Sequence, residues 1–257
     1  MQITLFQQDI AWLDKEANWQ KIEQTLGNHP QTDLLVLPEM CSTGFVTKPE
    51  AGQTETDSIV ADRLLALAKK YGTALCGSFA VSCADGHQHN RCYFVTPEGD
   101  VHHYDKHHLF RPGFEHEGYE PGGSQVVASW RGVRFLLCTC YDLRFPVWLR
   151  NTPQNQYDIL ICVANWPSAR QLAWNVLLRA RAIENQAYCL GVNRIGTDTM
   201  CEYLGGTCAI HPYGHPVAEC ADNTECTCTF EPDLEKLASY RQKFPSLGDS
   251  DQFTIGQ

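Results

Sequence analysis

Short apolar runs recur along this chain with polar, helix-patterned stretches between them, and that alternation limits the folds open to it. The runs ITLFQ (3–7), DLLVLPE (33–39), GTALCGSFAV (72–81), RCYFVT (91–96), GVRFLLCTC (132–140), YDILICVAN (157–165) and AYCLGVN (187–193) are of strand length. Most are too continuously apolar to have a wet face, which predicts buried strands. Helical spacing fills several gaps. Residues 14–26 start at an Asp14 N-cap and stop at Gly27; residues 57–71 gather Ile59, Val60, Leu64, Leu65, Leu67 and Ala68 on one side and stop at Gly72. The stretch 168–186 predicts a third helix with Ser168 as its cap, and residues 91–104 a hairpin turning through Pro97–Asp100. The expectation is an α/β protein with a mixed sheet. No Pro/Ser-rich linker, internal period or low-complexity tract divides the chain, so a single domain over 1–257 is expected, with a polar tail from about 245.

Composition narrows the partners. With 30 acidic against 20 basic residues the chain carries a net charge of −10, which argues against a surface built to neutralise phosphates, so nucleic acid is not an expected partner. No window approaches the ~18 apolar residues of a spanning helix. The opening MQITLFQQDIAWLD lacks a basic stretch and meets charge at Asp9, so no export signal and no membrane association are expected. Thirteen cysteines, an odd number in a chain of this size, read as reduced thiols of a cytoplasmic protein. Cys76, Cys162 and Cys189 sit within apolar runs, where a thiol acts as a small core residue.

Three polar residues stand where buried strands should end: Glu39, Lys106 and Cys140. Strand ends are where α/β sheets present reactive groups to a crevice. Cys140 precedes a Tyr-Asp-Leu-Arg segment able to open a helix, whose N–H groups would stabilise a thiolate or an oxyanion. Position alone leaves each residue open. Cys140 suits a core cysteine equally, Glu39 a helix cap, and Lys106 a solvated loop charge. Histidines 102, 103, 107 and 108 and the C-x-C pairs at 138–140 and 226–228 lack a complete zinc spacing, so no metal and no cofactor are expected. Cys138 and Cys140, two apart on one strand, would face the same way at roughly 6–7 Å, which disfavours a redox disulfide between them.

Taken together, L-P-E-M at 37–40, Y-D-K-H-H-L-F at 104–110 and C-Y-D-L-R-F-P at 140–146 resemble, in order, the three signature segments of the nitrilase superfamily of carbon–nitrogen hydrolases. Gln7, Pro121–Gly122, and A-N-W-P at 164–167 followed by R-A-R-A-I-E-N-Q extend the resemblance over roughly residues 1–230. Within the superfamily the chain looks most like the ω-amidase-type enzymes, which act on ω-amides of dicarboxylic 2-oxo acids such as 2-oxoglutaramate and 2-oxosuccinamate. An aliphatic amidase, a nitrilase proper and an N-carbamoyl-amino-acid hydrolase are the neighbouring alternatives, with a non-catalytic thiol protein further off.

The resemblance implies a four-layer α-β-β-α sandwich with two mixed β-sheets, a small-molecule amide and water as partners, and assembly into homodimers or larger homo-oligomers. It implies Cys140 as nucleophile, Glu39 as general base, and Lys106 with a backbone N–H near Tyr141 as the oxyanion site. It also implies a second glutamate six residues ahead of Pro121–Gly122, which is Glu115, with Glu117 and Glu120 close enough to compete. Loop 111–120 is expected to shape the entrance. Tyr141, Trp166 and Arg170 are expected to bind substrate; Arg170, which follows A-N-W-P-S near the end of the strand after the nucleophile's own, would hold the substrate's carboxylate, or else stand as a solvated charge in the first turn of the helix. Arg144 is expected to hold the loop after the nucleophile, and Arg179 and Arg181 to make structural ion pairs. Thr139 stands where the family usually has an apolar β-branched residue, a departure expected to matter little.

Overall fold

The computed structural model describes residues 1–251, 253 and 254. The chain begins β1 (Ile3–Gln7), α1 (Lys15–Asn28), β2 (Leu34–Val36), β3 (Glu55–Thr56), α2 (Asp57–Tyr71), β4 (Ala74–Ser82), β5 (Gln88–Val95) and β6 (Val101–Asp105). It continues β7 (Val127–Trp130), β8 (Val133–Thr139), β9 (Ile159–Ala164), α3 (Gln171–Glu184), β10 (Tyr188–Asn193), β11 (Ile195–Thr197), β12 (Glu202–Leu204), β13 (Cys208–Ile210), β14 (Pro216–Glu219), β15 (Cys226–Phe230) and α4 (Leu234–Lys243). One sheet runs β15-β1-β2-β4-β5-β6, with β3 on β4; the other runs β14-β13-β10-β9-β8-β7, and β11 and β12 form a separate ribbon. Both large sheets are mixed: β1, β2 and β4 are parallel in the first, β8, β9 and β10 in the second, and antiparallel strands flank each set.

Side-chain alternation sets the layers. On the first sheet Ile3, Leu5, Leu34, Val36, Cys76 and Phe94 face one core, shared with Phe135, Leu137, Ile159 and Ile161 of the second sheet. Their sequence neighbours Phe6, Leu35, Leu75, Tyr93 and Val95 face the other way, onto Trp19 and Ile22 of α1 and Val60 and Leu64 of α2. This is the period of two that a sheet buried on both faces requires. On the far side of the second sheet Trp174 and Leu178 of α3 lie against Gly191, where an added Cβ would come within 2.4 Å of Leu178. The result is the four-layer sandwich, helices outside and sheets face to face.

Local signals account for several helix ends. Asp14 accepts from Ala17 N, and α2 stops at Gly72 in the left-handed region at φ 66°, both as the sequence predicts. Two ends differ. α1 passes through Gly27 to Asn28, because a glycine can also extend a turn when the next residue closes it, here His29 N donating to Leu26 O. Ser168 is not a cap: Ser168–Arg170 form a single 3-10 turn, and α3 begins only at Gln171 without a side-chain cap. After α4 the chain makes one more 3-10 turn at Ser246–Asp249.

Candidate active site

Four loops deliver the chemistry, and three of them turn through a non-glycine residue in the left-handed region: Met40 (φ 44°), next to Glu39; Phe114 (φ 60°), next to Glu115; and Cys140 itself (φ 47°). Such conformations cost on the order of 1 kcal/mol or more and persist where packing enforces them. Cys140 ends the run of β8 and opens a short 3-10 helix over Cys140–Arg144, a sharp strand-to-helix elbow. Cys140 therefore leaves the strand that carries Cys138, so the two thiols do not share a strand face; Cys138 is buried in the core.

Lys106, Glu39 and Glu115 are wholly buried and in contact. The Lys106 ammonium donates to Glu39 Oε1 at 2.8 Å and to Glu115 Oε1 and Oε2 at 3.1 and 2.9 Å. Glu39 Oε2 accepts the Asn165 N–H at 2.7 Å, while the Asn165 amide donates to the Glu39 carbonyl at 2.7 Å. Glu115 Oε2 accepts the Phe110 N–H at 2.6 Å. The Cys140 thiol points to Asn165 O at 3.9 Å. Glu117 pairs with Lys48 at the surface and Glu120 is exposed, so of the three candidate acids only Glu115 reaches Lys106.

Electrostatics follow from that packing. Burial by itself would push the Lys106 ammonium down, but the Glu115 and Glu39 carboxylates outweigh it and hold its pKa well above the ordinary lysine value. Burial raises the Glu115 carboxyl and neighbouring Glu39 adds to the rise, against the pull of Lys106. Burial and the Glu39 carboxylate push the Cys140 thiol well up, with Lys106 offsetting only part. Cys140 is thus a thiol at rest and needs a base to become a nucleophile.

The elbow is tied to the lysine loop through Asp142, also wholly buried. Its Oδ2 accepts from Tyr104 Oη at 2.7 Å and Thr139 N at 3.0 Å, and its Oδ1 from His108 N at 2.9 Å and lies 2.8 Å from His108 Nδ1. His108 stacks on Phe145 and His107 on Trp148, so these two histidines brace loops. Among the described residues no group of three His, Cys, Asp or Glu is placed to hold a metal ion.

Cys140 opens on a cleft whose walls include Phe110, Tyr141, Trp166, Arg144 and Arg170. The Arg170 guanidinium lies over the Phe110 ring and that of Arg144 over the Trp166 ring, at 5.2 and 4.8 Å from the centroids. Among the described residues neither guanidinium pairs with a carboxylate, unlike Arg91, Arg134 and Arg241. Arg144 does not hold the loop after Cys140. Arg181 does, donating twice to Leu143 O at 2.7 and 3.1 Å, because α3 runs beneath the elbow and presents that residue to it. Arg181 also pairs with Glu184, whereas Arg179 makes no ion pair among the described residues and donates to Gly214 O. Two asparagines complete the site: Asn165, within the A-N-W-P segment, and Asn90, which donates to both Glu39 and Glu115. Asn90 lies just ahead of the apolar run taken for its strand, and β5 starts two residues earlier than that, at Gln88.

The elbow cysteine, the buried acid–lysine–acid group and the paired mixed sheets define a carbon–nitrogen hydrolase, and the chain belongs to that family, whose pattern matches residues 2–242. It is 41% identical to Omega-amidase YafV of Escherichia coli K12 over 99% of this chain and 98% of that protein. Its identity to the 2-oxoglutaramate amidase of Bacillus subtilis is 32%, over 96% of each. A CN-hydrolase superfamily protein of Xanthomonas campestris, XC1258, solved with an arsenic adduct in its active site, superposes with a TM-score of 0.94 at 36% identity, covering 100% of this chain and 99% of that one.

Proposed function

We propose that this protein is an ω-amidase that hydrolyses the terminal amide of short 2-oxo dicarboxylic acid ω-amides, 2-oxoglutaramate and 2-oxosuccinamate, through a Cys140 thioester. The observation that carries the reading is the cleft itself: one wall bears the elbow thiol, and the same walls bear two guanidiniums without carboxylate partners. A small substrate with an amide at one end and a carboxylate at the other satisfies both. The names and full-length coverage of the Escherichia coli and Bacillus subtilis relatives support the same substrate class.

In the first half-reaction Glu39 takes the thiol proton as Cys140 Sγ attacks the amide carbonyl. The tetrahedral oxyanion is stabilised by the Lys106 charge and a backbone N–H at Tyr141. Collapse breaks the C–N bond, and the proton held by Glu39 passes to the leaving nitrogen, which departs as ammonia. In the second half-reaction Glu39 deprotonates water, the hydroxide attacks the thioester, and the carboxylic acid leaves as the thiol is restored. Glu115 keeps Lys106 charged and oriented, its buried carboxylate lying against the ammonium throughout.

The proposal extends to a cytoplasmic homodimer acting as a single catalytic domain. α3 exposes Leu172, Val176 and Ile183 along its outer side, and a second copy covering that stripe would remove it from water. Sedimentation of the Val176→Lys variant as a monomer, against a dimeric wild type, is the expected outcome. The functional test is ammonia release from a panel of ω-amides, nitriles and N-carbamoyl amino acids. Fastest turnover on 2-oxoglutaramate supports the reading, and a preference for a nitrile or an N-carbamoyl amino acid overturns it.

A further inference from the structure

We propose that Asn90 is a positioning residue for this site, holding Glu39 and Glu115 together around Lys106; the role rests on the amidase reading, and its geometry stands apart from it. One nitrogen, Asn90 Nδ2, donates to two different carboxylates, Glu39 Oε1 at 2.7 Å and Glu115 Oε1 at 2.9 Å. Those same two oxygens accept from Lys106 Nζ at 2.8 and 3.1 Å. Donors and acceptors therefore alternate around a closed ring of four atoms, all on wholly buried side chains.

The amide has one workable orientation. Its Oδ1 accepts from Ser78 Oγ at 2.9 Å, and Ser78 Oγ accepts the Met40 N–H at 2.9 Å, which leaves the single hydroxyl hydrogen for Asn90. Turning the amide over would set a carbonyl oxygen against two carboxylates. The backbone is tied as well, since Lys106 N donates to Asn90 O at 3.0 Å. Residue 90 thus fixes the lysine through its main chain and both acids through its side chain.

A neutral double donor suits this place for a physical reason. Two buried carboxylates and one ammonium carry one negative charge too many, and like charges at this range drive one acid toward protonation. Two charge-assisted hydrogen bonds from Asn90 stabilise the ionised forms without adding a second cation, which would suppress the basicity that the mechanism asks of Glu39. Leucine at this position keeps the volume and removes both donors.

The experiment compares wild type with Asn90→Leu, reading the pH profile of kcat on 2-oxoglutaramate and the titration of the Glu115 side-chain carbon by NMR. Loss of alignment is expected to lower kcat by about 10²-fold with KM changed far less. The acid limb of the profile and the Glu115 titration are both expected to move up by about one pH unit, because the charged acids lose donors. Asn90→Ser, read in the same two ways, covers the case in which Asn90→Leu does not fold. Ser78→Ala, which removes the donor to Asn90 Oδ1 and leaves the two carboxylates to hold the amide alone, is expected to shift both readouts in the same direction and by less. A folded variant whose kcat falls while both titrations stay put overturns the proposal, as does kcat within threefold of wild type. If wild type releases no ammonia from any amide, the amidase reading fails, and the Glu115 titration still decides whether Asn90 holds the acids.

Discussion

The Lys106 ammonium stands 2.8 Å from Glu39 Oε1, and neither side chain has any surface in contact with solvent. A pair of this kind cannot be broken from one side without leaving an uncompensated charge in a medium of low polarity. In the proposed mechanism one partner must accept a proton while the other keeps its own. The second carboxylate, Glu115, is what allows that division, since Lys106 retains a counter-ion when Glu39 is protonated.

Glu39→Gln removes the base and keeps the shape; Lys106→Met removes the charge and keeps the stem. Each is expected to lower kcat by at least ~10²-fold. Lys106→Met is also expected to lower the melting temperature more than Glu39→Gln, because it leaves two acids facing each other. Near-normal kcat in a folded variant would remove that residue from the mechanism.

Cys140→Ala is expected to abolish turnover with little loss of stability. The thiol itself offers a check that needs no substrate. Burial and Glu39 hold its pKa above the ordinary cysteine value, so iodoacetamide labelling of the Cys140 peptide is expected to be slow at pH 7 and still rising beyond about pH 8.5, where an ordinary thiol is half ionised. Lys106 pulls that pKa down, so Lys106→Met is expected to slow labelling further at every pH. A labelling rate that levels off below pH 8 contradicts this account.

Strands β1, β2, β4–β6 and β8–β10 and all three long helices were legible because apolar period and turn residues coincide there, as at Asp14 and Gly72; β3, β7 and β11–β15 were not, being short or half-exposed, and α3 starts later than Ser168 implied. Glu39, Lys106 and Cys140 were legible for a different reason: each is a reactive type at the end of an apolar run, and their motifs fall in order. Glu115 came from a spacing, and only the fold separates it from Glu117 and Glu120, which reach solvent. Asn165 fell within the A-N-W-P segment without a role, and Asn90 left no signal, since an asparagine beside an apolar run has the same sequence appearance whether it meets water or two buried acids. The exchange between Arg144 and Arg181 was hidden likewise. Which arginine lies beneath the elbow depends on how α3 crosses the second sheet, a packing relation with no local trace.

Asp158 gives a stability prediction with a definite sign. It joins β8 to α4, lying 2.9 Å from Arg134 Nη2 and 2.8 Å from Arg241 Nη1. Burial alone would raise its pKa, but the hydrogen bond and charge of Arg134, with that of Arg241, bring it below 3.8. A lowered folded-state pKa contributes stability that is complete above the unfolded value and is lost as pH falls through the folded one. Asp158→Asn is therefore expected to cost about 2 kcal/mol, unchanged between pH 8 and 5, with the gap to wild type closing only below about pH 4. Urea unfolding across that range measures it, and a penalty that varies between pH 8 and 5 would assign the effect to another group.

Substrate choice turns on the two cleft arginines. Arg170 lies over Phe110 and Arg144 over Trp166, and among the described residues neither guanidinium has a carboxylate partner, so both are available to a ligand. A carboxylate meeting one of them edge-on gains two parallel hydrogen bonds, on the order of 2–3 kcal/mol for a charged pair shielded from water. Arg170→Met is expected to raise KM for 2-oxoglutaramate by about 30-fold, and to change it less than threefold for a neutral primary amide of the same length, because only the anion loses a partner. Arg144→Met tests the division of labour. If both guanidiniums grip the same 2-oxo acid group, the two single variants are expected to show the same selective loss, and the double variant less than the sum of the two effects. If Arg170 acts alone, Arg144→Met leaves the ratio of the two KM values unchanged. Equal losses on charged and neutral amides in both variants would mean that neither arginine reads the carboxylate.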